Sequence, residues 1–443
     1  MSPASTYYQA TSEPFSARPR LAHDIDTGVC IVGGGFAGLW MARALLKRHY
    51  DVVVIEQHRV AHGASGKNGG FVSAGFNQSM SAIADRVGIE DARALYRLSR
   101  LGVELVREEL ALGLPGVNAT PGYLRVSRTD DAEAARKRAD WYANQFDHDM
   151  VFWPTERVRE QLVSDCYFQA LHDADAFHIH PLNLAIALAE EIERRGGRIY
   201  EDTPALDADV DGVRKTVVTP RGKVRAHHIV FCGSALLGDT FPELARTVFP
   251  VATHLCVTKP AGEKLRDAIR YNGCIADDRR AFDYYRVVGD RLMWGGGIST
   301  DTKPPTDLSQ QMKARIDAVY PQLKDIAIES AWSGLMGFAV HKMPQIGMLR
   351  PGAWVASAFG GQGLNTTAMA AELVASGIAD KDDRWRLFIP FGLVWAGGAL
   401  GRRIAQASYR MMKVKDKLDE AASKRKSKKR KKHSGTKKAQ AVA

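Results

Sequence analysis

Residues 29–38 read VCIVGGGFAG, four apolar residues running straight into a cluster of glycines. The apolar run has the length and β-branched content of a short buried strand, and residues 39–46 behind the glycines have a helical pattern. Gly33, Gly35 and Gly38 therefore fall as G-x-G-x-x-G between a strand and a helix. Gly33 permits the tight turn, Gly35 lets backbone approach a pyrophosphate, and Gly38 lets the helix sit close to the strand. The helix N-terminus, with Phe36 and Ala37 in its first turn, then faces phosphate groups. A second strand at residues 51–55 ends in Glu56, with Gln57 beside it, 18 residues past Gly38. That is the place of a carboxylate that accepts hydrogen bonds from ribose hydroxyls. Strand, glycine triplet, helix, strand and acid in this order read as a dinucleotide-binding unit.

The segment after the acid separates NAD from FAD. Residues 63–70 read GASGKNGG, a glycine-rich loop where a plain nicotinamide domain would enter a helix. Gly63, Ala64, Ser65, Lys67, Asn68, Gly69 and Gly70 suit a backbone that runs beneath a flavin ring, with Lys67 and Asn68 approaching pyrophosphate or ring. Far downstream, residues 354–358 read as another buried strand. Gly361, Gln362, Gly363, Leu364 and Asn365 then open a second helical pattern. The positive end of that helix favours the negative charge a reduced flavin gathers near N1 and O2. Two glycine turns converging on one ligand predict FAD held at both ends.

Composition sets the remaining bounds. With 443 residues, 45% apolar and 25% charged, the chain is globular, and collagen-like, coiled-coil and wholly disordered classes are excluded. Its net charge of +11 is concentrated at one end, since residues 424–438 hold ten Lys or Arg and no acid, leaving the body at about +1. The five cysteines are scattered without a CxxC pair, which points to a reducing cytoplasm rather than a disulfide framework. No apolar core of a signal peptide stands in residues 1–28. The longest apolar run, residues 387–400, is too short for the roughly 20 residues that span a bilayer and is broken by Pro390, Gly392, Gly397 and Gly398. It is expected to pack on the protein or to lie at a membrane surface as a peripheral contact.

These residues resemble the FAD-dependent amine oxidoreductases of the D-amino-acid oxidase and sarcosine oxidase superfamily, and within it the γ-glutamylputrescine oxidases. Besides the two glycine turns, the resemblance is carried by HIHPLNLA at 178–185, DYYR at 283–286, GGG at 295–297 and MPQIG at 343–347. It implies an α/β fold in which a Rossmann-like FAD-binding domain holds an inserted substrate domain of mixed sheet, α+β in character. On this basis the FAD domain is drawn from 29–110, 165–245 and 330–385, and the substrate domain from 111–164 and 246–329. Residues 1–28 form an extension, 386–423 a helical extension, and 424–443 a basic disordered tail. The resemblance also brings Cys232 and Gly233 near the adenosine and a backbone group of Ala205 to adenine. The chain departs from the pattern in four places. Phe71 replaces a common Gln, Gln362 replaces a common His, no cysteine stands near Gly334 to tether the flavin, and the oxygen-activating lysine of sarcosine oxidases is missing from residues 292–294. FAD is expected to be non-covalent, with oxygen or another acceptor taking its electrons.

On the substrate side, alternation through residues 281–287 puts Phe282, Tyr284 and Arg286 on one face of a strand and Asp283 and Tyr285 on the other. Tyr284 or Tyr285 is a candidate aromatic wall for a small-molecule amine, Arg286 a candidate partner for its carboxylate, and His341 a further contact. His178 and His180 lack a third ligand, so no metal is expected, and they are read as the entrance to a helix from Pro181. Residues 402–422 read as an amphipathic helical cap, and the tail beyond as a segment for a polyanion or an anionic membrane surface. Oligomeric state is not readable.

Overall fold

Ile25–Val32 lies at the centre of the first of two sheets, and its last four residues are buried on both faces. Val29 and Ile31 join one apolar cluster while Cys30 and Val32 join another, which is why the run is continuously apolar rather than alternating. The computed structural model describes residues 6–440. Parallel pairing places Val52–Ile55 on one side of this strand and Gly222–Phe231 on the other, with Arg198–Tyr200 and Ala353–Ser357 outside them. Gln345–Arg350 closes one edge antiparallel to Ala353–Ser357, and Lys215–Thr219 with Asp207–Asp209 hang from Gly222–Phe231. The helices Phe36–Leu46, Gly363–Ala379 and Pro181–Arg194 pack over one face of this eight-stranded sheet, and Ile89–Leu110 packs on Gly363–Ala379.

The second sheet has nine strands and is mainly antiparallel, ordered Ile328–Phe338, Phe249–Thr258, Arg291–Ser299, Asp283–Val288, Cys274–Asp277, Thr120–Val126, Ala170–His178 and Phe71–Val72. The ninth, Val151–Trp153, pairs with Ala170–His178. Cys274–Asp277 runs parallel to Thr120–Val126, so the sheet is mixed. One of its faces is sealed by a core built on Tyr285, Trp294, Tyr320 and Met312; the opposite face is left for a ligand.

Several boundaries fall elsewhere than the sequence suggests. Phe71–Val72, Ala170–His178 and Ile328–Phe338 pair in the second sheet, because their hydrogen-bond partners lie far off in the chain. The first strand starts at Ile25, inside the expected extension, and residues 6–24 before it pack on the body at Thr6, Tyr8 and Leu21. Thr6 and Gln9 close a capping box around Tyr7–Ala10, which drives Tyr8 to complete burial. At the other end the helix Gly398–Gln440 continues through the basic run expected to be disordered, consistent with the good helix propensity of Lys and Arg. Residues 441–443 of that tail lie outside the described residues. No helix among the described residues is long and apolar enough to cross a membrane.

Candidate active site

A cavity of about 880 Å³ opens between the two sheets, within the range of small-molecule sites. At one end lies the glycine turn. Gly33 has φ +117°, closed to side chains, and its N–H donates to the Ile55 carbonyl at 2.8 Å. A Cβ on Gly38 would overlap the Gly33 carbonyl, so Gly38 serves close packing and stays outside the cavity, while Gly33, Gly35, Phe36 and Ala37 line it. No side chain of Gly35 caps the helix; the Phe36 N–H instead donates to Ser65 Oγ at 2.9 Å. Glu56 is buried at the strand end, its carboxylate accepting from the Gly34 N–H at 2.7 Å and the His58 N–H at 2.9 Å. Burial raises its pKa against the pull of those two donors. Gln57, Ala205, Cys232 and Gly233 line the same end.

The loop at residues 63–70 forms the floor. Asn68 fastens it, donating to the carbonyls of Ala64 at 3.1 Å and Ser65 at 2.8 Å and accepting from the Gly70 N–H at 2.8 Å. Gly63, Ala64, Ser65, Lys67, Asn68 and Gly69 line the cavity. Gly70 does not: with φ +80° it turns the chain where any Cβ would run into Arg286 and the Ile179 carbonyl. Lys67 is half-buried, which lowers its pKa, and its carbonyl accepts from Trp332 Nε1 at 3.1 Å. The late turn meets this floor from the other side. Gly361, Gln362, Gly363 and Leu364 line the cavity, and Gln362 Nε2 is held by Ser73, at 2.8 Å from its carbonyl oxygen. Gly363–Ala379 starts without a side-chain cap, leaving its positive end for a ligand. Asn365 is withdrawn, spending its amide on the carbonyls of Gly75 and Ser99.

Beyond the floor the wall is aromatic. Tyr284 lies against Gly69, where a Cβ would stand 2.8 Å from its ring. Phe71 and Phe282 meet it edge-on or tilted at 5.7 and 5.9 Å, and Tyr123 meets Phe71 at 5.7 Å. Burial pushes the Tyr284 hydroxyl up to about 12. The roof comes from the C-terminal helix, through Ile404, Gln406, Tyr409 and Met412. Tyr409 accepts from the Ile298 N–H at 3.0 Å and Gln406 from the Thr300 N–H at 2.9 Å. Phe71, Tyr123, Phe282 and this helix were not singled out by the sequence as site residues. Phe282 shares the period-two face of Tyr284, Phe71 stands out as a departure beside the paired glycines, and the helix falls in the stretch read as an amphipathic cap, whereas nothing local marks Tyr123.

Three predicted substrate contacts lie elsewhere. Tyr285 points into the opposite core, stacked on Trp294 at 4.2 Å with its hydroxyl 2.7 Å from that of Tyr320, because neighbouring residues of a strand face opposite ways. Arg286 shares the face of Tyr284 but sits behind Gly70, donating to His178 Nδ1 at 2.6 Å and Tyr8 Oη at 3.0 Å. His341 is folded onto its own segment, Nδ1 accepting from the Met343 N–H at 3.1 Å and Nε2 lying 3.2 Å from the Gly392 carbonyl oxygen. His180 caps Pro181–Arg194 through Nδ1, as its place in the sequence suggests.

The residues present fit FAD on observations internal to this chain: a side-chain-free cradle at Gly33 and Gly35, a buried carboxylate at the ribose position, and two helix starts facing one cavity whose N-cap residues make no side-chain cap bond. Comparison with known proteins agrees. Residues 28–376 match the family described as FAD dependent oxidoreductase, DAO. The chain is 32% identical over 391 residues to gamma-glutamylputrescine oxidoreductase of Escherichia coli K12, covering 87% of this chain and 91% of that protein. It is 27% identical over 395 residues to the probable oxidoreductase OrdL of Haemophilus influenzae, covering 87% and 90%. Among solved structures, glycine oxidase from Bacillus cereus superposes with a TM-score of 0.68 at 21% identity, over 82% of this chain and 97% of that one. With the family match spanning residues 28–376 and so taking in both glycine turns and the buried acid, the chain belongs to the DAO family of FAD-dependent oxidoreductases.

Proposed function

We propose that this enzyme oxidises a primary or secondary amine, of the γ-glutamylated kind, to an imine that water hydrolyses to an aldehyde and the released amine. The observation that carries this reading is the character of the wall. Among the described lining residues the one carboxylate is Glu56, at the ribose end, while Phe71, Tyr123, Phe282 and Tyr284 stand beyond the floor. A carboxylate there would hold the amine as an ammonium ion; an apolar aromatic wall favours the neutral amine, the form that can be oxidised. A bound FAD, held by the glycine turns and the loop at residues 63–70, would supply a two-electron acceptor for oxidation at the carbon next to nitrogen, to be reoxidised by oxygen or another acceptor. The protein orients that carbon, excludes water beneath the C-terminal helix, and leaves the N–H proton to solvent. Of the lining cations outside the cofactor floor, Arg280 is already paired with Asp416 and Asp419, which leaves Lys342 to favour a substrate that carries a carboxylate over a bare polyamine.

Anaerobic bleaching of the flavin against γ-glutamylated amines, free polyamines, N-methyl amino acids and D-amino acids tests this. A γ-glutamylated amine is expected to bleach fastest. Faster bleaching by a free polyamine would remove the carboxylate argument, and bleaching by amino acids alone would move the substrate to that class.

A further inference from the structure

The C-terminal helix has a second, exposed face, of which Ile404 alone among the described stripe residues also lines the cavity. Leu400, Ile404, Met411, Val414 and Leu418 are between 57% and 66% exposed. At 100° per residue they fall within an arc of roughly 80°, a single apolar stripe. The opposite side carries the contacts with the protein: Tyr409, Met412, Asp416, Glu420 and Ser423. Arg403, Arg410, Lys415 and Lys417 are exposed along the flanks of the stripe. The acids of residues 398–423 are Asp416, Asp419 and Glu420, and all three are tied to Arg280 or Arg128. Immediately upstream, Ile389, Val394 and Trp395 are also exposed, and Trp395 lines the cavity as well, so the mouth opens beside this surface.

We propose that this face docks on an anionic lipid bilayer, with the aliphatic stripe in the interface, the flanking cations among the headgroups, and the mouth of the FAD cavity beside the contact. An apolar stripe flanked by Lys and Arg is the pattern of a helix that lies in the membrane plane, and the ten cations of residues 424–438 extend the same attraction. A nucleic acid would use the cations but has no place for five exposed aliphatic side chains. A second copy of the chain would bring like charges together across a two-fold axis.

Co-sedimentation of the full-length, FAD-loaded protein with vesicles of phosphatidylcholine and phosphatidylglycerol in equal parts tests the proposal without needing turnover. Its outcome is therefore independent of the substrate reading. Binding to these vesicles and not to pure phosphatidylcholine is expected. The variant M411Q/V414Q/L418Q keeps charge and helix propensity and is expected to bind about tenfold more weakly or worse, with flavin content and melting temperature unchanged. Equal binding by this variant overturns the proposal. So does retention on polyuridylate without vesicle binding, or a dimer in sedimentation velocity that the variant abolishes.

Discussion

His178 Nδ1 lies 2.6 Å from Arg286 Nη1, and a guanidinium can only donate. The Nδ1 atom is therefore bare and the proton sits on Nε2, directed at the Asn272 carbonyl oxygen 3.0 Å away. Burial, then the charge of Arg286, lowers the pKa of this imidazole from 6.5 to about 3. Between those values the unfolded chain binds the proton and the folded one does not. The contribution to stability is therefore complete above about pH 6.5 and declines as pH falls toward 3. His178→Gln offers an acceptor to Arg286 and a donor to Asn272 with no titration, so its melting temperature is expected to fall less steeply than wild type on acidification below about pH 6.5. Parallel curves in a thermal melt series would show that His178 is not the group responsible. At the wall, Tyr284 contributes its ring rather than its hydroxyl, whose nearest partner, Thr253 Oγ1, is a distant 3.4 Å. Tyr284→Phe is expected to keep turnover within about threefold. Tyr284→Ala removes buried aromatic surface against Gly69 and is expected to lower kcat/KM by ten- to a hundredfold, about 1.4–2.8 kcal/mol in steady-state assays.

The elements differ in how they hold the site, and so in how far the sequence reveals them. The glycine turns are local: strand, turn and helix are consecutive, and each glycine answers a contact a few residues away, as Gly38 does with the Gly33 carbonyl. Gly38→Ala is expected to yield protein without bound FAD, read from its absorbance after gel filtration. Tyr284 was legible as half of an alternating pair, but alternation alone does not say which face meets the ligand. Tyr285 went into the core because Trp294 and Tyr320 wait there, residues known only once the sheet is assembled. The roof was least legible. Asp416, nearly buried, accepts from the N–H groups of Arg280 at 3.2 Å and Ala281 at 3.0 Å and from Arg280 Nη1 at 3.0 Å, contacts made across some 135 residues of sequence. Hydrogen bonds to a charged acceptor contribute about 1.5–3 kcal/mol each, and part of that survives as solvation in the opened state. Asp416→Ala is expected to loosen the roof by about 2–3 kcal/mol, so amide exchange in residues 398–423 should speed up by about 30- to 150-fold while the central strands are unchanged. Equal exchange in both proteins would mean that the helix is held by its apolar contacts instead.

For the whole molecule the consequence is a division between an enzyme body and a charged end. The cavity is closed by residues up to Met412, and the latch of the roof ends at Ser423, whose hydroxyl accepts from the Asp130 N–H at 2.8 Å. Every described residue that lines the cavity or latches the roof thus precedes the cluster of ten cations at residues 424–438. Interactions between exposed charges are also screened beyond the Debye length, about 8 Å at physiological salt. A chain ending at Ser423 is therefore expected to bind FAD with the same stoichiometry and to keep kcat and KM within about twofold, because its net charge changes without any change in the groups that line the cavity. The same truncation should elute from a cation exchanger at much lower salt, as its charge falls from +11 to about +1. Loss of flavin or a large rise in KM on truncation would show instead that residues beyond 423 press the roof onto the cavity, and would make the basic end part of the catalytic body.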